Sequence, residues 1–286
     1  MRKIVLATFA LVFAVACDHT EKVEQKIIRE EKAIEIQKHV DNIENKEELL
    51  VVFDCDDVLV IKEDPIGQAE NMKDLVEILT KIEKHTSKKD FSSLLCTILV
   101  KNKQMLIEQE MSSVVKHIQD SGVKTIVLTQ IAPGKYDDIA SVEEFRIQML
   151  HSFGYHFERS WPNSDVMEFK NLEKTRATAT TMNFMETSKN YPVFYMGVLF
   201  CGFSSKNEVL GEFINRIDFK PRTIVFIDDR QSYLDVVKQY CQENNIEFLG
   251  IHYTGNLKKN VKCSKASMEK QIKTFLKTKK WVPLKN

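Results

Sequence analysis

The sequence predicts an α/β protein with a Rossmann-like, three-layer architecture built on a parallel sheet. Short apolar runs rich in β-branched residues recur along the chain, as in strands buried on both faces. Segments with helical periodicity separate these runs, which favours parallel strands joined by right-handed crossovers. The 286 residues, of which 43% are hydrophobic and 29% charged, suffice for one large domain with a small insert.

Four apolar runs are predicted to form the strands of the sheet: Leu49–Phe53, Thr125–Leu128, Thr223–Ile227 and Phe248–Ile251. The apolar segment Tyr191–Phe203 contains two glycines and predicts one or two further strands.

Helical patterns fill the intervals between the runs: Glu110–Asp120, Ser141–Phe153, Leu210–Ile217 and Ser232–Glu243. The first helix is expected to stop at Gly122, a residue type that commonly ends helices. Ser141 with Glu144 three residues later has the spacing of a capping box, which marks the start of the second. Two more helices, Asn71–His85 and Phe91–Leu99, are predicted within an interval of about residues 63–121, which we interpret as a small helical cap insert.

The N-terminus has the pattern of an export signal. A short basic start, Met1–Lys3, precedes an uncharged, mainly apolar run of thirteen residues, Ile4–Ala16, that ends in a small-x-small motif. This run is shorter than the roughly 20 residues that span a bilayer. Cys17 follows directly and leaves two alternatives open: a lipoprotein whose Cys17 tethers it to a membrane, or plain cleavage. The predicted location is therefore periplasmic or membrane-anchored.

Charge is distributed unevenly between the two flanking segments and the centre. Residues 18–48 are highly charged with spaced apolar positions, and we interpret them as a helical spacer. Residues 256–286 contain ten lysines and one acid, and are interpreted as a solvated, basic C-terminal helix. The formal net charge of the whole chain is zero, so no nucleic-acid partner is expected.

Acidic residues follow two of the predicted strands. Asp54, Asp56 and Asp57 come after the first run, and Asp228 and Asp229 come at the end of the third. Ligands of open parallel sheets bind beyond the carboxyl ends of the strands, so these acids are expected to share one pocket. A hard divalent cation would offset their repulsion, and Mg²⁺ suits a site with few carboxylates.

A hydroxyl and a lysine complete the pattern. Thr129 ends the second run, and Lys206 precedes the helix that leads to the third. A hydroxyl donor and a fixed cation are what a transferring phosphoryl group requires around its oxygens.

These segments together resemble the four motifs of the haloacid dehalogenase-like (HAD) superfamily of phosphatases, in the order expected. They read VVFDCDDV, IVLT, SSKNEVLGEF and IVFIDD, and the resemblance covers about residues 49–253. It implies that Asp54 attacks phosphorus to form an aspartyl-phosphate. Asp56 would protonate the leaving oxygen and then activate water. Thr129 and Lys206 would bind the phosphoryl oxygens.

The resemblance also implies a Mg²⁺ site. The carboxylates of Asp54 and Asp228 and the backbone carbonyl of Asp56 would hold the ion, with Asp229 helping directly or through water. The expected protein is thus an exported, Mg²⁺-dependent hydrolase of phosphate monoesters that resembles a poorly characterised bacterial branch of the superfamily. Two alternatives stay open: a phosphotransferase using the same nucleophile, and a membrane-tethered binding protein that retains the fold.

Overall fold

The structure is a computed structural model and describes residues 24–162, 164–173 and 187–284. Its centre is an eight-stranded sheet in the order β1-β10-β9-β2-β5-β8-β7-β6, with β6 and β7 antiparallel to their neighbours and the remaining pairs parallel. The strands are β1 (Gln25–Glu30), β2 (Leu49–Phe53), β5 (Lys124–Thr129), β6 (Met167–Glu168), β7 (Val193–Tyr195), β8 (Val198–Phe200), β9 (Thr223–Asp228) and β10 (Glu247–Tyr253). The predicted α/β class with a parallel central sheet is confirmed.

Helices cover both faces of the sheet. They are α1 (Ala33–Asp41), α2 (Met72–Glu83), α3 (Lys88–Leu95), α4 (Met111–Asp120), α5 (Val142–Ser152), α6 (Lys206–Arg216), α7 (Gln231–Glu243) and α8 (Lys265–Thr278). Among the described helices, none is both long and apolar enough to cross a membrane.

Burial on both faces of the sheet explains why the sequence of β2 is apolar throughout. All five residues of β2 are buried. Val51 and Phe53 contribute to the hydrophobic core on one face of the sheet, whereas Leu50 and Val52 contribute to the core on the other. A strand covered on both faces has no solvent side on which polar residues could alternate. The four predicted strands correspond to β2, β5, β9 and β10, so their positions are confirmed.

The apolar segment at 191–203 forms a hairpin of β7 and β8. Met196 and Gly197, which join the strands, both have positive φ angles of 48° and 80°. A two-residue turn with positive φ at both positions matches the twist of the flanking strands.

The predicted helical spacer at 18–48 is α-helical in only one part of its described residues, Ala33–Asp41, and another part is a strand. Gln25–Glu30 forms β1, a parallel edge strand paired with β10, and α1 then packs against α4. Ala33, Ile36 and Val40 of α1 are fully buried. The extended conformation depends on hydrogen bonds to β10, more than 200 residues away in the chain, which local periodicity does not reveal. Residues 1–23, including the predicted export signal and Cys17, lie outside the described residues.

The insert is shorter than the predicted interval of about 63–121. It begins and ends in a two-stranded antiparallel hairpin of β3 (Val60–Lys62) and β4 (Gln104–Leu106), between which α2 and α3 lie. The next helix, α4, instead packs against β5 and α1 and belongs to the layer that covers the sheet.

The basic C-terminal helix exists but is not solvated on all sides. One face of α8 packs on α2 and α3, and Met268, Ile272 and Phe275 are buried there. Its lysines lie on the opposite, exposed face, as in other amphipathic surface helices. The helix therefore helps to hold the insert in place.

Candidate functional site

Two acidic segments meet at the edge where the parallel strands end. Strands β2 and β9 are direct neighbours, with Phe53 paired to Ile227, so the residues that follow them are adjacent. The backbone N–H of Asp54 donates to the carbonyl of Ile227 at 2.9 Å. The expected convergence of Asp54 and Asp228 is present, although they are far apart in sequence.

Lys206 lies between these two carboxylates. Its Nζ is 2.8 Å from Oδ1 of Asp54 and 2.7 Å from Oδ2 of Asp228, and the lysine side chain is completely buried. Burial alone would lower the pKa of Lys206, but the carboxylates of Asp228 and Asp54 raise it above its ordinary value. The site therefore contains a permanent, fixed cation.

The backbone around Lys206 is held from both sides. Lys206 is the first residue of α6, and a capping box of Ser205 and Glu208 fixes this helix start. Gln130, directly after β5, donates its Nε2 to the carbonyls of Gly202 at 2.7 Å and Ser204 at 2.9 Å. These bonds tie the loop before α6 to the end of β5.

Three carboxylates form a cluster that suits a divalent cation. One oxygen from each of Asp54, Asp228 and Asp229 lies within 4.8 Å of the others. Burial raises the pKa values of Asp228 and Asp229, and neighbouring carboxylates raise them further. Lys206 offsets only part of this negative charge. A hard cation with oxygen ligands would remove the remaining repulsion, so these residues fit Mg²⁺.

Asp56 has a different environment, because two cations hold it. Its Oδ1 lies 3.3 Å from Nζ of Lys62 and 3.2 Å from Nη1 of Arg146, and 30% of its side chain is exposed. Burial alone would raise the pKa of Asp56, but Arg146 and Lys62 hold it well below the usual aspartate range. The side chain is thus paired with two cations and is ionised at neutral pH.

Asp57 adds a further buried carboxyl group to the site. It is 8% exposed, and burial together with the negative charges of Asp56 and Asp54 raises its pKa to about 6, against an opposing effect of Lys62. Its φ is 66°, in the left-handed region that aspartate tolerates better than most residues. This turn directs the chain back towards β3.

Thr129 lies at the same edge of the sheet, at the end of β5, which neighbours β2. The residue is 1% exposed, and its backbone carbonyl accepts a hydrogen bond from the N–H of Cys201 at 2.9 Å. All six of the predicted site residues therefore lie at one edge of the sheet or directly beyond it: Asp54, Asp56, Thr129, Lys206, Asp228 and Asp229.

Sequence reasoning missed the cations that surround Asp56. Arg146 is 3% exposed and belongs to α5, where it lies four residues after Val142 and four before Leu150, both buried. An arginine in the buried stripe of a helix needs an acidic partner, and that spacing was the available signal. Lys62 gave no comparable signal, because a lysine at a strand end is usually solvated.

Another group of titratable side chains comes together away from this edge. His151 and His156 stack with ring centroids 4.7 Å apart, and each hydrogen-bonds Glu158 at 3.1 Å. Their proximity was not predicted from the sequence.

The five cysteines in the described parts of the chain are all free thiols: Cys55, Cys96, Cys201, Cys241 and Cys263.

The fold and the site thus define a class of protein: an α/β protein whose mainly parallel sheet has a carboxylate cluster beyond the carboxyl ends of its strands. The chain belongs to the family described as Protein of unknown function (DUF2608), which matches residues 29–285. That range includes β1 from Arg29 onwards, the insert and α8.

Relatives of the chain occur in Rickettsia. An uncharacterised protein of Rickettsia felis is 26% identical over 213 residues, which cover 72% of this chain and 68% of the relative. One from Rickettsia conorii is 25% identical over 221 residues, covering 75% and 71%. One from Rickettsia typhi is 27% identical over 154 residues, covering 53% and 48%. No solved structure matches the chain.

Proposed function

We propose that this protein is a Mg²⁺-dependent phosphomonoester hydrolase of the HAD-like class, with Asp54 as its nucleophile. One observation carries the proposal: the Asp54 carboxylate lies against the buried ammonium group of Lys206 within a cluster of three carboxylates. A nucleophile beside a fixed cation and a metal site is the arrangement that phosphoryl transfer requires.

In the first half of the proposed reaction, a carboxylate oxygen of Asp54 attacks phosphorus. The bond between phosphorus and the ester oxygen breaks, and the leaving oxygen takes up a proton. In the second half, water attacks the aspartyl-phosphate, which releases phosphate and regenerates the Asp54 carboxylate. Lys206 stabilises the negative charge on the phosphoryl oxygens because its own charge does not vary with pH in the physiological range.

The metal would be held by the carboxylates of Asp54, Asp228 and Asp229, together with the backbone carbonyl of Asp56. When bound, Mg²⁺ would neutralise charge on the phosphoryl oxygens and orient them towards the nucleophile. The fit rests on the cluster itself: burial and neighbouring carboxylates raise the pKa values of Asp228 and Asp229, and Lys206 offsets only part of this effect.

Asp56 is the proposed acid and base. Its ionised form suits the second half of the reaction, in which it accepts a proton from the attacking water. The first half needs a proton on the same group. The ion pairs of Asp56 with Arg146 and Lys62 must therefore loosen when substrate enters, and its 30% exposure leaves room for this rearrangement.

The insert also supports the HAD-like assignment. The hairpin of β3 and β4 begins just after Asp57, and it carries the helices α2 and α3. In the superfamily that the four motifs resemble, a cap inserted at this point selects the substrate. Export, and a membrane tether through Cys17, remain predictions from the sequence.

The test is the substitution Asp54→Asn. It preserves shape but removes the nucleophilic charge, and we expect turnover of p-nitrophenyl phosphate with Mg²⁺ to fall to background. The matched control is Asp235→Asn, a change at an exposed aspartate on α7, which should retain full activity. Equal activity of Asp54→Asn and wild type would disprove the mechanism.

Including an alcohol acceptor tests the phosphotransferase alternative, because transfer would yield a new ester in place of free phosphate.

A further inference from the structure

A polar cleft opens beside the three-carboxylate cluster, on the side of β10 and β1. Its volume is about 390 Å³, and Asp229 forms part of its wall. Arg29, His252 and Asn260 line it as well, and the insert closes it with Ala69 and Glu70. Because a proposed metal ligand forms its wall, the cleft is placed to receive the group from which phosphate is cleaved.

The sheet register fixes where the basic residues lie. Arg29 of β1 pairs with His252 of β10, and His252 pairs with Asp228 of β9. Residues in register on adjacent strands lie side by side on one face, and strands are about 4.8 Å apart. Arg29 is therefore two strands, or roughly 10 Å, from Asp228 along the edge where the proposed reaction occurs.

The guanidinium group of Arg29 is anchored but retains free donors. Its Nε donates to Oγ1 of Thr254 at 3.2 Å, and Thr254 is 5% exposed. Among residues 24–162, 164–173 and 187–284, no carboxylate oxygen lies within the 4.0 Å salt-bridge distance of Arg29. A guanidinium group that is held at Nε and has no carboxylate partner among the described residues is suited to bidentate binding of a carboxylate or phosphate.

The rest of the cleft offers hydrogen-bond acceptors. Nε2 of His252 lies 2.9 Å from the carbonyl of Asp229, and a carbonyl can only accept, so this nitrogen carries the proton. In the neutral ring, Nδ1 is then an acceptor. Oδ1 of Asn260 is buried and has no hydrogen-bond partner within the part of the chain that the structure describes. Nδ1 of His252 would suit a hydroxyl group of a ligand, and Oδ1 of Asn260 would suit a second one after the Asn260 side chain turns towards the cleft.

We infer that the substrate is a small, hydroxylated phosphate ester with a second anionic group, a carboxylate or a second phosphate, which binds Arg29. This inference rests on the proposed function and specifies the substrate class for the same site. It gives β1 a direct role in recognition.

The experiment compares matched esters with the wild-type protein. The first pair is 3-phosphoglycerate and glycerol 3-phosphate, in which the carboxylate of the former is replaced by a hydroxymethyl group in the latter. The second is the bisphosphate and the monophosphate of propane-1,3-diol. We expect kcat/KM to be at least tenfold higher for the member with the second anion in one or both pairs, and the pair that responds identifies which anion is recognised.

The variant Arg29→Gln should abolish this preference while leaving glycerol 3-phosphate and p-nitrophenyl phosphate turnover unchanged. Lys26→Gln is the control, an exposed cation on the same strand, and should keep the preference. Equal kcat/KM within both pairs, or a preference that survives Arg29→Gln, would overturn the inference. If the wild type hydrolyses p-nitrophenyl phosphate but does not discriminate within either pair of esters, this inference alone is wrong. If it hydrolyses none of the esters, the proposed function is wrong as well.

Discussion

Nζ of Lys206 and Oδ2 of Asp228 are 2.7 Å apart at a position where neither side chain contacts solvent. An ion pair this deeply buried has lost its hydration, and the mutual attraction of its members only offsets that loss. Removing one member leaves the other as an uncompensated buried charge. The same lysine also contacts Asp54, so one substitution unbalances two carboxylates.

We expect Lys206→Met to lower the free energy of unfolding by about 3–5 kcal/mol in EDTA. The loss should shrink when Mg²⁺ is present, because the ion replaces part of the missing positive charge. Turnover should fall by about 100-fold or more, since a donor to the phosphoryl oxygens is gone. Urea unfolding with and without Mg²⁺ measures the first effect. Lys38→Met, at an exposed pair with Glu35, is the control, and similar unfolding curves for both variants would contradict the prediction.

The residues that could be predicted from sequence are those whose signal is local. Strand β2 and the acids after it were recognised because a strand buried on both faces is apolar along its whole length. Strand β1 was missed because Gln25–Glu30 is a half-exposed edge strand, and its conformation is set by pairing with β10. Arg146 was missed for a related reason: its function depends on contact with Asp56, 90 residues away.

Stability without metal should fall as pH rises. The pKa of Asp57 is about 6 in the folded protein, mainly because of burial, against roughly 3.9 in an unfolded chain. Between these values the folded state binds more protons than the unfolded state, so its stability decreases with increasing pH. Asp228 and Asp229, whose pKa values are also raised, extend the decrease to higher pH.

We therefore expect the free energy of unfolding in EDTA to be lower at pH 8 than at pH 5 by about 2 kcal/mol or more. Saturating Mg²⁺ should remove this decrease, because it stabilises the ionised carboxylates of the folded state. Asp56 contributes no slope in this range, since its lowered pKa keeps it ionised throughout. Urea titrations at both pH values test this, and stability in EDTA that is constant or rises towards pH 8 would refute it.

The role of Asp56 can be separated from that of Asp54 by the choice of leaving group. A p-nitrophenolate leaves readily without a proton, whereas an alkoxide does not. Asp56→Asn should therefore reduce kcat for an alkyl phosphate by about 10²–10⁴-fold, and reduce formation of p-nitrophenolate in a single turnover much less. Rapid-quench kinetics on both esters provide the measurement. Equal losses on the two esters would show that Asp56 does not donate the proton.

The insert is predicted to depend on a single buried carboxylate, that of Asp64, which is 2% exposed. Its Oδ2 accepts from Nε2 of Gln271 at 2.6 Å and from Nε1 of Trp281 at 2.9 Å, and its Oδ1 accepts from the N–H of Ile66 at 3.2 Å. Two of these donors belong to α8 and the segment after it. The carboxylate thus joins the C-terminal segment to the start of the insert.

Asp64→Ala leaves these donors without an acceptor, and we expect it to lower the free energy of unfolding by about 3 kcal/mol. Trp281→Phe removes one donor, keeps most of the apolar packing and should cost about 1 kcal/mol. Asp74→Ala is the control, because Asp74 pairs with Lys262 and Lys265 at the surface and should change stability little. Thermal unfolding together with limited proteolysis of α8 follows the effect. If Asp64→Ala matched wild type in both assays, the C-terminal helix would be held by its apolar face alone.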